Sequence, residues 1–236
     1  HFMSTGSGIE TIKASASEIT IATTDLMNTD LVDALRTTLD SMAVPPPPVV
    51  FEGDMAAADA PLRVLLCSSE QYTSIQQSNS GAFRTFQANA MARASQAGNH
   101  PLFRGDVGLW NGILIIKMPK PIRFYAGDSL RWCASYTSET ETSTDLVPAA
   151  FSTTHAVDRA LLLGGQALAE AWGKHVKTGM PYFFSEKELD HGDKLEILLG
   201  MINGRSKIRF EIDPGDSKQF TDYGVIAIDT AVKLGV

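Results

Sequence analysis

The firmest local constraint in this sequence is a helix with a hard stop. Leu31, Ala34, Leu35, Leu39 and Met42 recur at i, i+3, i+4, i+8 and i+11, which is one helical face, while Asp33, Arg36, Thr37 and Asp40 take the other side. Asn28, Thr29 and Asp30 offer N-cap oxygens for the first free N–H groups. Val44-Pro45 ends the helix, because proline disfavours helical geometry in the residue before it. Pro45 to Pro48 then hold an extended, polyproline-like connector. The spacing predicts a helix from about Thr29 to Met42; an amphipathic helix and a stiff linker name no function.

The remaining patterns are mixed. Residues 1–17 are rich in Ser, Thr, Gly and Ala without a clear period and read as an extended arm or linker. Ile19-Thr20-Ile21 suggests a short strand. Arg63–Cys67 is a continuous apolar run, expected as a buried strand, and Ser68, Ser69 and Glu70 cap a short helix through Gln76. A further helix is expected from about Ala82 to Ala94, with Phe83, Phe86, Ala90, Met91 and Ala94 inward. Asn111-Gly112 predicts a tight turn into the strand Ile113–Ile116, and Ile122–Tyr125 and Leu130–Ala134 are shorter strands. Residues 135–155 read as a long surface loop with an edge strand. Arg159–Trp172 is ambiguous: it reads either as a strand over Ala160–Leu163, ending at Gly164-Gly165, followed by a helix over Gln166–Trp172, or as one helix carrying both glycines at a cost of about 2 kcal/mol. Lys194–Ile202, Asn203-Gly204 and Arg205–Ile212 form the strongest hairpin signal, with Ile208, Phe210 and Ile212 expected inward. Tyr223–Asp229 is a final apolar strand. The fold class is mixed α+β.

Charge limits the partners. Twenty Lys plus Arg against 27 Asp plus Glu leave a formal charge of -7, and the densest basic stretch, Lys117, Lys120 and Arg123, is interrupted by Pro119 and Pro121. A protein that binds duplex DNA or anionic lipid gains affinity by neutralising phosphates, so neither is expected as a dedicated partner, although a wall that encloses DNA remains compatible. No apolar run approaches the ~18–20 residues of a membrane span, and no secretory signal is visible. Cys67 and Cys133 are expected as reduced, buried thiols, which points to synthesis in a reducing cytosol.

The motifs that carry chemistry are missing from the sequence. GxxxxGK[ST], GxGxxG after a strand, and GxSxG all fail. Two distant cysteines give no zinc knuckle. His155 with Asp158 would put two ligands on one helical turn, and His191 lies between Asp190 and Asp193. Glu186, Glu188 and Asp190 form an acidic run at alternating spacing, expected as a solvated strand face or loop rather than paired catalytic carboxylates. No catalytic, cofactor-binding or metal residue is assigned.

Four segments in order resemble the major capsid proteins of tailed bacteriophages, specifically the N4-like family. They are Asn99–Gly112 (NHPLFRGDVGLWNG), Arg159–Leu168 (RALLLGGQAL), Gly204–Phe210 following Asp190-His191-Gly192, and Asp222–Ala231 (DYGVIAIDTA). The resemblance implies an HK97-type fold. On that pattern residues 18–61 are peripheral domain with a spine helix at about 29–42, 62–178 are mostly axial domain, and 179–236 return to the peripheral sheet. The implied function is a structural subunit, not an enzyme, that self-assembles into pentamers and hexamers of an icosahedral head around double-stranded DNA. Scaffold, portal and decoration proteins are its implied further partners; no cofactor and no membrane are implied, and the implied location is the virion capsid, assembled in the host cytoplasm. Such proteins also carry an N-terminal arm and an extended hairpin ahead of the spine helix, which 28 preceding residues can hardly supply. With His1-Phe2-Met3 at its start, the chain reads as a C-terminal portion of a longer polypeptide. Two other readings are an encapsulin-like cellular shell protein and an α+β enzyme using His155 and Asp158.

Overall fold

Asn28 caps the first helix through its side chain, whose oxygen accepts the Leu31 N–H at 2.8 Å. Helix α1 (Thr29–Ser41) buries Leu31, Leu35 and Leu39 of the expected stripe together with Val32, while Ala34 and Met42 are half-buried; each of the four buried side chains is worth about 1.5–3 kcal/mol by removal from water. Helix α2 (Ser69–Ser78) opens on a reciprocal capping box: Gln71 N–H donates to Ser68 Oγ at 3.1 Å and Ser68 N–H to Gln71 Oε1 at 2.8 Å. The computed structural model describes residues 1–42, 45–51, 61–78, 85, 87–92, 108–133, 141–176, 178–212 and 219–235.

In chain order the strands are β1 Phe2–Ser4, β2 Ile9–Thr11, β3 Ala14–Ser15, β4 Glu18–Ile19, β5 Arg63–Cys67, β6 Gly108–Trp110, β7 Ile113–Lys117, β8 Ile122–Phe124 and β9 Ser129–Trp132. They continue with β10 Ser143–Leu146, β11 His155–Leu163, β12 Leu168–Trp172, β13 Tyr182–Leu189, β14 Lys194–Met201, β15 Asn203–Lys207, β16 Arg209–Ile212, β17 Gln219–Asp222 and β18 Val225–Lys233. The α+β class holds.

The chain forms two compact units, His1–Ala167 with Arg209–Val236, and Leu168–Ile208. The first is built on an eight-stranded sheet in the order β2-β1-β18-β11-β5-β7-β6, with β8 also on β11. At its centre β11 and β18 pair antiparallel from His155↔Lys233 to Leu163↔Val225. Beyond β18, β11 serves two neighbours: Leu161–Leu163 pair with β5, and Val157–Arg159 with β8.

Strand alternation sends successive side chains to opposite faces, and each face is covered. Leu65, Cys67, Ile113, Ile115, Ala160, Leu162, Ile226 and Ile228 pack with Leu31, Val32, Leu35 and Leu39 of α1 and Tyr72 and Ile75 of α2. Val157 and Ala231 join a second cluster with Ile19, Leu130, Val147 and Phe151, where the small sheet β3-β4-β10-β9 contributes. A third cluster holds Leu62, Val64 and Leu114, with Val49 and Phe51 against it.

The tetraproline segment explains the paired glycines. Gly165 N–H donates to Pro47 O at 2.7 Å. A Cβ on Gly164 would stand 2.5 Å from Pro46 Cβ, and one on Gly165 2.6 Å from Pro48 O. Only a residue without a side chain lets the prolines approach so closely.

Several expectations are overturned. Residues 1–17, expected as an arm or linker, carry three short strands, and β1 lies parallel to β18 in the main sheet. Leu168–Trp172 is strand, not helix, because it pairs throughout with β15. The Asn203-Gly204 hairpin does not exist: Asn203 pairs with Trp172 and Gly204 with Ala171 in extended backbone. Phe210 is 42% exposed rather than buried and meets the Tyr223 ring edge-on at 4.5 Å. Of the expected helix 82–94, residues 85 and 87–92 are helical; Ala90 is buried, Met91 is exposed, and Phe83, Phe86 and Ala94 lie outside the described side chains. Most of Asn99–Gly112 also lies outside the described residues.

The second unit is a two-stranded ribbon. β12 pairs with β15, and β13 with β14 from Tyr182↔Met201 to Leu189↔Lys194. Between the two ladders Gly173 N–H donates to Ile202 O and Ile202 N–H to Pro181 O, so the return strand runs on while the outgoing strand throws out a loop. The far turn is Asp190-His191-Gly192, all with positive φ.

Candidate functional site

Four polar residues interrupt the apolar β11–β18 pair. Asp158, Arg159, Asp229 and Thr230 are all buried, and a buried charge is tolerable only when paired and hydrogen-bonded. Asp158 lies directly across from Arg123 on β8. Arg123 donates Nε to Asp158 Oδ1 at 2.7 Å and Nη2 to Asp158 Oδ2 at 2.8 Å. Nη2 also reaches Glu70 on α2 at 2.9 Å. The hydrogen bonds to Asp158 hold the Arg123 guanidinium charged, well above its ordinary range.

Arg159 and Asp229 are a second forked pair. Arg159 Nε donates to Asp229 Oδ1 at 2.7 Å and Nη2 to Oδ2 at 3.0 Å, while Nη2 also reaches Arg131 O at 2.8 Å and Nη1 Glu141 at 3.1 Å. Burial pushes the Asp229 carboxyl above its usual range, and Arg159 pulls against that shift. Gln71 completes the constellation. Its Nε2 donates to Asp158 O at 2.9 Å and Thr230 Oγ1 at 2.8 Å, with Oε1 occupied by Ser68 N–H. These bonds tie α2, β8, β11 and β18 together.

The other sequence candidates scatter. His155 and Asp158 sit on a strand, not a helical turn, and residues three apart on a strand face opposite ways. Asp158 is taken by Arg123; His155 Nδ1 lies 2.9 Å from Thr154 Oγ1. His175 stacks on Phe183 at 4.4 Å. His191 forms the ribbon turn, and Asp190 pairs with Lys194 at 2.6 Å. Glu186 and Glu188 are exposed on a strand, one of the two settings expected of them. Cys67 and Cys133 are free and buried, as expected. Burial pushes the Cys67 thiol up to about 12. Among the described residues no three of His, Cys, Asp and Glu gather closely enough to hold a metal ion.

The sequence reading missed Gln71, Arg123 and the Arg159–Asp229 pair. Their signal was adjacent opposite charges, Asp158-Arg159, inside an otherwise apolar strand. It also missed an exposed apolar ribbon face. By register, Tyr182, Phe184, Glu186 and Glu188 of β13 share one face with Met201, Leu199, Ile197 and Leu195 of β14. The six apolar members are each 54–76% exposed. An open cleft of about 570 Å³ lies at the base of this ribbon, lined by Met180, Tyr182, Phe184, Leu199 and Met201 among others.

Comparison with known proteins gives this geometry a setting. The capsid of Ralstonia phage GP4 is similar over 94% of this chain and 52% of its own, with a TM-score of 0.62 and 23% identity. The head structure of Helicobacter pylori bacteriophage KHP40 covers 89% of this chain and 60% of its own, with a TM-score of 0.47 and 17% identity. The acidic stable capsid structure of Helicobacter pylori bacteriophage KHP30 covers 87% and 59%, with a TM-score of 0.49 and 18% identity. The chain thus spans about half the length of the GP4 capsid chain that it matches. No curated protein matches it in sequence. The family model described as phage capsid protein matches residues 1–234. By that match, across nearly its whole length, the chain belongs to the phage capsid protein family, the structural proteins of the bacteriophage virion.

Proposed function

We propose that this chain is part of the major capsid protein of an N4-like tailed phage, built on an HK97-type fold. In this reading full-length copies assemble into pentamers and hexamers of an icosahedral head that encloses double-stranded DNA without reading its sequence. The observation that carries the proposal is the family match over residues 1–234, and the fold shared with the GP4 capsid supports it. The domain scheme belongs to the same proposal: residues 18–61 peripheral with the spine helix at about 29–42, 62–178 mostly axial, and 179–236 in the peripheral sheet. These divisions follow position in a shell, whereas the two compact units follow internal contacts, and the two kinds of boundary are independent.

The chemistry suits such a role. A shell subunit works by holding its conformation under load, and forked buried ion pairs between neighbouring strands specify one register. A net charge of -7 disfavours adhesion of packaged DNA to the wall. Scaffold, portal and decoration proteins complete the proposed partners. The test is electron microscopy of the full-length protein produced with its scaffold. Closed shells are expected, and a uniformly monomeric product overturns the reading. Tight binding of the subunit to duplex DNA at physiological salt would contradict the passive-wall part alone.

A further inference from the structure

The ribbon Leu168–Ile208 has no core to lie on in its own unit: none of the residues in the three buried clusters belongs to it. A two-stranded hairpin by itself is marginally stable in water. Its return strand from Lys194 to Lys207 nevertheless has a contour of roughly 45 Å at about 3.3 Å per residue. The backbone is well specified even so. Phe183 lies over Gly200, directly across the ladder, where any Cβ would overlap its ring, and His175 stacks on that ring at 4.4 Å. An aromatic ring over a cross-strand glycine pins register. The opposite face carries the six apolar side chains Tyr182, Phe184, Leu195, Ile197, Leu199 and Met201.

Those six leave roughly 700 Å² open on one face, close to one partner's share of a standard interface, about 800 Å². A contiguous apolar patch of that size on an isolated chain marks an interaction surface. We infer that this face seats on a second copy of the same chain, as a heterologous contact in which the ribbon of one subunit lies against the body of its neighbour. The inference rests on the capsid reading and names the surface through which copies meet.

Charge selects the heterologous form over ribbon-on-ribbon pairing. Glu186, Glu188, Asp190, Asp193 and Glu196 stand against Lys187 and Lys194 at the far end. Glu186 and Glu188 share the apolar face itself. Two ribbons packed parallel would oppose like charges in a partly dry interface, and packed antiparallel each would press Glu186 and Glu188 onto the other's apolar base, where Tyr182, Phe184, Leu199 and Met201 offer no counter-charge. A head-to-tail contact avoids this and, when its rotation closes, generates rings.

The test uses the full-length capsid protein assembled with its scaffold. Leu199→Lys puts a charge at the middle of the face, and its shell yield is expected to fall at least tenfold while the subunit melts as the wild type does. Leu199→Cys gives a milder probe, read as the rate of labelling by a maleimide dye with the wild type as blank, since Cys67 and Cys133 are buried. Labelling is expected to be at least tenfold slower in shells than in free subunits. Wild-type shell yield from Leu199→Lys, or equal labelling rates in shells and free subunits, overturns the contact. If Leu199→Lys melts abnormally, the labelling rates decide. Failure of the wild type to form shells would instead overturn the capsid reading.

Discussion

Arg159 and Asp229 pair inside the sheet, where removing one partner strands the other. Arg159→Met is expected to destabilise the protein by about 3–5 kcal/mol, because Asp229 is left buried without its cation. Arg159→Met with Asp229→Leu is expected to recover most of that loss, since apolar residues of similar volume can replace a buried pair at little cost. Urea unfolding of the two variants checks both values; a double variant no better than the single would mean that the pair's geometry is needed for packing. Cys67 gives a pH signature. Its folded value of about 12 lies above the ordinary 9.0. The stability it contributes is therefore complete below about pH 9 and is lost as pH rises toward 12. Between about pH 8 and 10.5 the wild type should lose about 2 kcal/mol more than Cys67→Ala, at 1.36 kcal/mol per unit. Parallel urea midpoints for the two proteins across that range would remove Cys67 as the cause. Gln71 shows why single residues were hard to read. Its type predicts a surface helix position, but three buried hydrogen bonds, two of them to residues far along the chain, make it a core residue.

At the scale of elements, the same dipeptide met two fates. Asn111-Gly112 turns between β6 and β7 with φ of 45° and 74°, as an Asn-Gly hairpin should. Asn203-Gly204 runs straight through a strand. A turn there requires the flanking segments to pair with each other, and each has a better partner elsewhere. Lys194–Met201 follows the turn at Asp190-His191-Gly192 and pairs with β13, while Asn203–Lys207 meets β12. Nothing in the local sequence carries that information, because it lies in segments up to 35 residues upstream. Substitution separates the two sites. Gly204→Val places a β-branched residue in open space on an extended strand and is expected to be neutral or slightly stabilising. Gly112→Val forces a side chain into positive φ against Arg36 and should cost about 2 kcal/mol or more. Thermal melts that ranked the two equally would contradict these turn assignments. The helix α1, the strands β5 and β7 and the final strand were legible because their own periodicity or apolar run defines them. The helix expected at Gln166–Trp172 failed because an exposed strand five residues long has no apolar period to announce it. Gly164-Gly165 was legible only as a break; its reason is the proline segment more than 100 residues earlier.

For the whole molecule, the division into a body and a ribbon means that folding and assembly draw on different residues. All three buried clusters and both forked ion pairs lie in the body. The ribbon leaves at Leu168 and returns at Lys207, which pair across the ladder, so its ends stand about 5 Å apart. Replacing Leu168–Ile208 by Asp-Gly, which closes two adjacent strands in a tight turn, should therefore keep a cooperatively folding body. Its Tm is expected within about 5 °C of the parent, since a chain of this size shifts by about 2–4 °C per kcal/mol. The same deletion in the full-length protein should abolish shells, because it removes the proposed contact while sparing the core. A melt that broadens or drops by more than about 10 °C would show that the ribbon stabilises the body it leaves. Shells formed without the ribbon would show instead that copies meet through the body alone. The candidate site was not read from sequence: Asp158-Arg159 placed two charges inside an apolar strand, but their partners Arg123 and Asp229 lie 35 and 70 residues away. The apolar row of the ribbon stayed hidden because alternation looks the same whether its partner is the chain's own core or another subunit.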